Sequence, residues 1–165
     1  MRILGIDPGY AIVGFGVIDK VGNGYKVVDF GVITTPQEMD MPERLKTIYT
    51  ELCEIINRYH PEVCGIEDLY FTNNAKTAIK VGQARGVCVL ACAMKDIDTY
   101  SYTPLQVKQA LVGYGRAEKA QVQAMVTSML RLKEIPKPDD AADALAIAIT
   151  HGNSAEYLDK LKHAK

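Results

Sequence analysis

The sequence predicts an α/β fold in which a five-stranded mixed β-sheet, with three antiparallel strands followed by two parallel strands, is flanked by α-helices. Residues 2–34 are rich in β-branched side chains and contain the hairpin turn Gly22-Asn23-Gly24. Beyond residue 40, segments with helical periodicity alternate with short segments of strand character. The resulting order, βββαβαβααα, is typical of a mixed sheet covered by helices.

The first three predicted strands form an antiparallel meander. Arg2–Asp7 is mostly apolar and ends in the turn Pro8-Gly9, while Ile12–Lys20 alternates and is β-branched. Tyr25–Thr34 follows the hairpin turn. The two remaining strands are predicted at Glu62–Glu67 and Ile97–Tyr102.

Five segments are predicted to be helical. Asn73 or Asn74 is the expected cap of the second helix, and Gly152 is the expected end of the last one. We therefore predict one folded domain at residues 1–152 and a poorly ordered tail at residues 153–165, which is charged and weakly patterned. The predicted helices are Pro42–Tyr59, Asn73–Met94, Thr103–Leu111, Ala117–Leu132 and Asp139–Thr150.

Composition sets broad limits on function. The net charge is −1, so a nucleic-acid ligand would require the basic residues to cluster on one face. No apolar stretch is long enough to span a membrane and no signal-peptide pattern is present, which predicts a cytoplasmic protein with no membrane partner. The four cysteines contain no CxxC pair, which argues against a zinc knuckle and favours buried, reduced thiols.

Four carboxylates occupy positions where a core-facing residue is normally apolar. Asp7 ends the first strand, Glu67 ends the fourth, and Asp140 and Asp143 are neighbours at i,i+3 on the last helix. If the first and fourth strands are adjacent and parallel, Asp7 and Glu67 meet at the carboxyl edge of the sheet, where ligands tend to bind. Without cations, the negative charges of four neighbouring carboxylates repel one another. Carboxylate oxygens are suitable ligands for Mg²⁺ or Mn²⁺.

Some of these aspartates also have a purely structural interpretation. Asp7 can simply form the turn before Pro8-Gly9, and Asp139 or Asp140 can cap the helix after Pro138. Asp139 and Asp143 are also a valid helical pair, so the residues alone do not decide which aspartate joins Asp143.

Several stretches of the sequence resemble the RuvC family of the ribonuclease H-like superfamily. They occur in the same order as in that family, and they cover nearly everything before Asn153. Each is weak alone, but the ordered set is highly specific. The stretches are Gly5-Ile-Asp-Pro-Gly9, Ile66-Glu-Asp68, Gly82-Gln-Ala-Arg-Gly86, Val107-Lys-Gln109, Ala117-Glu-Lys-Ala-Gln-Val-Gln123 and Asp140-Ala-Ala-Asp-Ala-Leu-Ala-Ile-Ala-Ile-Thr-His151.

The resemblance implies a nuclease that resolves four-way (Holliday) junctions. Two Mg²⁺ ions would be bound by Asp7, Glu67, Asp140 and Asp143, since the motif match favours Asp140 over Asp139. Water would attack the scissile phosphate and leave 5′-phosphate and 3′-hydroxyl ends. The family acts as a homodimer on paired strands, prefers certain T-rich sites, and works beside the RuvA and RuvB branch-migration proteins.

The resemblance also implies roles in DNA binding. Lys108 and Lys119 match lysines that can neutralise phosphate charge, although a lysine read alone is usually a solvated surface residue. Tyr70 occupies the position of a family aromatic that stacks on a junction base. A flanking basic patch is predicted on the second helix, and an ordinary solvated helix face is its alternative. The patch residues are Lys76, Lys80 and Arg85.

Small residues repeat at i+4 on the second helix, at Ala78, Gly82 and Gly86. Their smooth face allows close approach of another backbone, which predicts that this helix lies in the dimer interface. Close packing on the chain's own sheet is the alternative.

Three other functions fit parts of the pattern. Gly5-Ile-Asp7 with Gly14 and Gly16 is superficially like the ATP-binding proteins of the actin and sugar-kinase class, which need two such domains. A non-catalytic junction-binding module would be indicated by a lost carboxylate, and all four are present. Another ribonuclease H-like nuclease, acting on RNA hybrids or other branched DNA, would use the same acidic residues.

Overall fold

One five-stranded sheet with strand order β3-β2-β1-β4-β5 organises the protein. The computed structural model describes residues 1–68 and 74–163, and only the backbone of residues 156–163. β1 to β3 form the antiparallel meander, and β4 and β5 extend the sheet parallel to β1. The predicted sheet is confirmed. The strands are β1 (Arg2–Asp7), β2 (Ile12–Val21), β3 (Gly24–Thr34), β4 (Val63–Glu67) and β5 (Asp98–Tyr102).

The helices cover both faces of the sheet. The first two, α1 and α2, pack with one apolar cluster, and the remaining three pack with another. Asn74 caps α2 by accepting a hydrogen bond from the Thr77 backbone, while the other candidate cap, Asn73, lies outside the described residues. The helices are α1 (Met41–Tyr59), α2 (Ala75–Ala93), α3 (Pro104–Val112), α4 (Lys119–Met129) and α5 (Asp139–His163).

The prediction that Gly152 ends the last helix is wrong, because α5 continues to His163. Gly152 has no left-handed backbone conformation. A Cβ atom there would lie 2.5 Å from the Tyr25 ring, so the glycine serves close packing of α5 over β3. The division into a domain at residues 1–152 and a tail at 153–165 stays a prediction.

α5 crosses the sheet on four glycines, which we call the glycine seat: Gly5, Gly14, Gly16 and Gly65. Gly5 pairs with Gly16 on one side and with Gly65 on the other, so these three lie side by side across β2, β1 and β4. A Cβ atom on Gly5 would lie 2.0 Å from the Ala144 carbonyl oxygen. The helix backbone therefore lies directly on the sheet backbone, an approach that only glycine permits.

Two further predictions are tested by the fold. All four cysteines are free thiols, and three are buried, as predicted, while Cys53 is partly exposed. Among the described residues, no helix is long and apolar enough to cross a membrane.

Replacing Gly5 should displace α5. We expect Gly5→Ala to lower the free energy of unfolding by about 1–3 kcal/mol or more, because the added methyl group meets helix backbone. Thermal denaturation measures this as a fall of roughly 2–4 °C per kcal/mol in a chain of this size. Gly24→Ala is the matched control, because its Cβ would meet only the Val21 oxygen at 3.8 Å. Equal melting temperatures for the two variants would contradict the glycine seat.

Candidate metal centre

Asp7 and Glu67 lie next to each other at the carboxyl ends of β1 and β4. The last register pair of these parallel strands joins Ile6 to Ile66, and the two acidic residues follow it. Because side chains alternate along a strand, both carboxylates share the face of Gly5 and Gly65, which α5 covers. The two carboxyl groups are close enough that the charge of Glu67 raises the pKa of Asp7. The strand arrangement anticipated from the sequence is therefore present.

Asp140 reaches the same edge from the first turn of α5. Gly14 pairs with Asp7 across β1 and β2. A Cβ atom on Gly14 would lie 2.0 Å from the Asp140 carbonyl oxygen and 3.1 Å from the Asp140 Cβ. The glycine seat thus sets Asp140 directly over the strand position opposite Asp7.

Asp143 completes the group one helical turn further along. Its charge raises the pKa of both Asp7 and Glu67, so the three carboxylates share one electrostatic environment. The structure brings together the four acidic residues singled out in the sequence. We call this set the carboxylate group: Asp7, Glu67, Asp140 and Asp143.

Asp139 points to a different neighbour. Its Oδ2 lies 3.2 Å from Lys119 Nζ, and its Oδ1 accepts a hydrogen bond from Gln123 Nε2 at 3.2 Å. Both partners lie on α4, and the Asp139 side chain is largely exposed. Of the two aspartates that the sequence left open, Asp140 faces the strands and Asp139 faces α4.

The carboxylate group is electrostatically strained. Burial, followed by the charges of Glu67, Asp143 and Asp140, raises the pKa of Asp7 to about 8. Burial also raises the pKa of Glu67 and of Asp143, and the Asp143 carboxylate adds to the rise at Glu67. Carboxylates that resist ionisation at neutral pH are stabilised in ionised form by a nearby cation.

Lys119 is a cation at this group. Its Nζ lies 3.1 Å from Asp143 Oδ2 and 3.2 Å from Asp139 Oδ2. Partial burial alone would lower the Lys119 pKa, but hydrogen bonds to Asp143 and Asp139 raise it above its ordinary value. The ammonium stays charged and lowers the pKa of Asp7.

The donor set fits a hard divalent cation. As the side chains stand within residues 1–68 and 74–163, no three acidic, histidine or cysteine groups are arranged to hold a metal. Asp143 is instead bonded to Lys119. The group nevertheless offers only carboxylate oxygens, which Mg²⁺ and Mn²⁺ prefer. Burial, with the repulsion of neighbouring carboxylates, raises the pKa of Asp7, Glu67 and Asp143.

The predicted DNA-contacting residues fall in different environments. Lys108 lines a cavity together with Lys119, Glu67 and Asp143, so two of the predicted lysines lie beside the carboxylate group. Lys76 is exposed on α2, and Lys80 Nζ lies 5.3 Å from the centre of the Tyr10 ring. Tyr70 lies outside the described residues.

Arg85 supports the end of β4. Its Nε donates to the Glu67 carbonyl oxygen at 3.1 Å, and its guanidinium also bonds Ser101 Oγ and pairs with Asp68. These contacts hold the strand that carries Glu67, whereas the sequence predicted only a flanking basic patch.

Small residues on α2 face outward. Ala78 and Gly82 are half-buried, and Gly86 is exposed with nothing within 4 Å of a Cβ built on it. Exposed apolar side chains accompany them: Ile79 at 64%, Leu90 at 52% and Met94 at 63%. Gly86 therefore does not pack against the chain's own sheet.

Three features that position the acidic residues were not predicted from the sequence. The glycine seat was not predicted, although glycine inside a strand signals close backbone approach, and Gly5 and Gly65 each lie two residues before an acidic residue. The Arg85 support of Glu67 and the Gln123 bond to Asp139 depend on tertiary packing and leave no local pattern.

Known proteins share both the sequence and the fold. The family model described as crossover junction endodeoxyribonuclease RuvC matches residues 3–151. A protein of that name from Alkaliphilus oremlandii is 56% identical over 162 residues, or 98% of this chain and 99% of its own. Its counterpart from Clostridioides difficile is 54% identical over 163 residues, covering 99% and 96%. The structure described as Thermus thermophilus RuvC in complex with Holliday junction substrate is 35% identical, with a TM-score of 0.88 and coverage of 95% of this chain and 96% of that one.

The raised pKa of Asp7 predicts a pH-dependent stability for the metal-free protein. Between the ordinary value of 3.8 and about 8, the folded state retains a proton that the unfolded chain has released. This contribution to stability is present at low pH and is lost as the pH rises through about 8. In EDTA, Asp7→Asn should therefore melt at a higher temperature than the native protein at pH 8, with a smaller difference at pH 5.

Calorimetric melting in EDTA at both pH values checks this prediction. A variant that melts below the native protein at pH 8 would contradict the strain assigned to the carboxylate group.

Asp140 and Asp139 should differ in their effect on metal affinity. Loss of even an outer-shell partner of a metal ligand costs about 10–100-fold in affinity, so Asp140→Asn should weaken Mn²⁺ binding by at least about tenfold. Asp139→Asn is the matched control and should cause a clearly smaller change, because its partners are Lys119 and Gln123. Titration calorimetry measures both affinities. A larger loss of Mn²⁺ affinity in the Asp139 variant would indicate that Asp139, and not Asp140, is the metal ligand.

Proposed function

Because the chain belongs to the family of the crossover junction endodeoxyribonuclease RuvC, we propose that it resolves Holliday junctions, as a structure-specific endonuclease that makes paired, symmetric nicks in four-way DNA. The family is one of metal-dependent nucleases acting in recombination and repair. The observation that carries the proposal is the carboxylate group itself, which combines raised pKa values with two adjacent lysines. Cleavage of other nucleic acids is the alternative that an experiment must separate.

Asp7, Glu67, Asp140 and Asp143 would hold two Mg²⁺ ions, for which Mn²⁺ would substitute. Such a pair supplies Lewis-acid polarisation of a phosphodiester and a water nucleophile that ionises at neutral pH, leaving 5′-phosphate and 3′-hydroxyl ends. Four carboxylates give the protein enough negative charge to neutralise two divalent ions. The adjacent parallel strands that carry Asp7 and Glu67 and the seat of Asp140 on Gly14 hold these oxygens on rigid elements.

Lys119 and Lys108 would neutralise phosphate charge at the cut. Lys119 bridges Asp143 and Asp139, and Asp139 is not one of the proposed ligands. With Asp143 serving as a ligand, the ion pair with Asp139 would keep the Lys119 ammonium beside the carboxylate group. Lys108, on α3, lines the same cavity. Positive charge at these positions would stabilise the extra negative charge that develops in the transition state.

A second copy of the chain would bind through α2. The exposed apolar side chains Ile79, Leu90 and Met94 accompany Gly86, whose surroundings within the chain are open, and Ala78 and Gly82 lie on the same helix. An exposed apolar stripe of this kind is typical of a protein interface. A homodimer places two carboxylate groups on one junction, as paired symmetric nicks require.

Further expectations belong to the same proposal. Tyr70 would stack on a junction base, and the basic patch of Lys76, Lys80 and Arg85 would add positive charge along the DNA. RuvA and RuvB are proposed as partners, and the cytoplasm as the location.

Cleavage of a synthetic mobile four-way junction tests the proposed function. With Mg²⁺, the native protein should nick two opposite strands of the junction and spare linear duplex and an RNA–DNA hybrid. EDTA or Asp7→Asn should remove activity by several orders of magnitude, because both remove the metal ions that the carboxylate at the end of β1 would help to hold. Junction binding without cleavage by the native protein would indicate a binding module, and preferred cleavage of the hybrid would indicate a different nuclease.

A charge on the outer face of α2 should separate the dimer. We expect Leu90→Glu to convert a dimeric mass to a monomeric mass in light scattering at micromolar concentration, because the charge would be buried at the interface. Val21→Glu is the matched control, since Val21 is equally apolar and 67% exposed but lies on β2. A monomeric native protein, or a Leu90→Glu variant that stays dimeric, would contradict the proposal that α2 forms the dimer interface.

A further inference from the structure

Arg44, on α1, is a buried arginine whose partners, in the part of the chain that the structure describes, are neutral oxygens. The residue is 7% exposed. Its Nε donates to the Met39 carbonyl oxygen at 2.9 Å, and one terminal nitrogen donates to the Thr35 carbonyl oxygen at 3.0 Å and to Thr35 Oγ1 at 2.7 Å. A buried charge is costly unless its hydrogen bonds are made, so these bonds hold Thr35 in one position against α1.

Thr35 connects Arg44 to the turn between β1 and β2, at residues 8–11. Its Oγ1 donates to the Tyr10 carbonyl oxygen at 2.6 Å, and its backbone N–H donates to the Ala11 carbonyl oxygen at 2.9 Å. A hydroxyl has one proton and two lone pairs. Because Arg44 donates to the Thr35 hydroxyl, the proton of that hydroxyl stays available for the turn. We call this chain of hydrogen bonds the arginine clasp: Arg44, Thr35 and Tyr10.

The turn held by the arginine clasp begins directly after Asp7. It is tight, because a Cβ atom on Gly9 would lie 2.3 Å from the Ile12 carbonyl oxygen. The pairing of Asp7 with Gly14 fixes the strand side of this end of the hairpin, and the clasp fixes the turn side. The direction of the Asp7 side chain depends on the backbone on both sides of it. A displaced turn would therefore rotate the Asp7 carboxylate relative to the rest of the carboxylate group.

We propose that Arg44 and Thr35 are positioning residues for Asp7, which they hold in the orientation that cation binding requires by fixing the turn that follows it. The inference rests on the proposed function and deepens it, because it concerns how one metal ligand is presented. Groups that orient metal ligands affect metal affinity by about 10–100-fold when they are lost. The clasp acts on Asp7 through the backbone, so the effect of its loss should fall near the lower end of that range.

Thr35→Val removes the hydroxyl of the clasp and keeps the shape of the side chain. Mn²⁺ affinity, measured by titration calorimetry, should fall about tenfold, because the Tyr10 carbonyl group loses its donor and the turn is released. Thr35→Ser keeps the hydroxyl and should bind Mn²⁺ with nearly native affinity. Arg44→Lys is a second variant with the same expected loss, since an ammonium does not reproduce the fork of a guanidinium.

Further measurements separate positioning from a general loss of stability. The Mg²⁺ concentration for half-maximal junction cleavage should rise about tenfold in Thr35→Val, whereas kcat at saturating Mg²⁺ should stay close to the native value. Ile48→Val is the control, because it removes a methyl group from the fully buried face of α1 and should lower the melting temperature without changing Mn²⁺ affinity. Arg44→Lys combined with Thr35→Val should lower the affinity no more than either change alone, because both break one chain of bonds. Circular dichroism melting in EDTA confirms that each variant is folded.

Three results would overturn the arginine clasp as a positioning device while leaving the proposed function intact. One is a folded Thr35→Val variant with native Mn²⁺ affinity, and another is an equal loss of affinity in Ile48→Val. The third is an equal loss in Thr35→Ser, because that variant keeps the hydroxyl. A native protein that neither binds Mn²⁺ nor cuts a four-way junction with Mg²⁺ would instead contradict the proposed function itself, and the roles of Arg44 and Thr35 with it.

Discussion

The close contact between the backbone of α5 and the backbone of the central strands determines where the acidic residues lie. Gly5 and Gly14 leave no space for a Cβ atom below the helix, so α5 is held at one height and one rotation above the sheet. Because these glycines share a face with Asp7, the contact that packs the core also directs the first turn of α5 onto the carboxyl end of β1. Core packing and the acidic site therefore depend on the same interaction.

This arrangement places the charges of Glu67, Asp143 and Asp140 where they oppose the ionisation of Asp7. Burial and mutual repulsion raise the pKa of Asp7 to about 8, and the strain is only partly relieved by Lys119. Strain of this kind is typical of a functional site, because a group that disfavours its own charge binds cations strongly. The lysine also pairs with Asp139, which lies outside the carboxylate group.

Much of the site was predictable from local patterns. Asp7 and Glu67 each end an apolar strand, and period-two alternation together with adjacent parallel strands places them side by side. The choice between Asp139 and Asp140 was not predictable from the residues, because it depends on the rotation of α5, which contact with Gly14 decides. The end of α5 was wrongly predicted for the same reason, since Gly152 serves a tertiary contact with Tyr25 rather than a helix cap.

Anomalous X-ray diffraction from crystals grown with Mn²⁺ would locate the cations bound by the protein. We expect anomalous peaks bounded by oxygens of Asp7, Glu67, Asp140 and Asp143, with Lys119 retained by Asp139. Manganese peaks that avoid these oxygens, or coordination by Asp139 in place of Asp140, would contradict the claim that the glycine seat assembles the carboxylate group as a cation site.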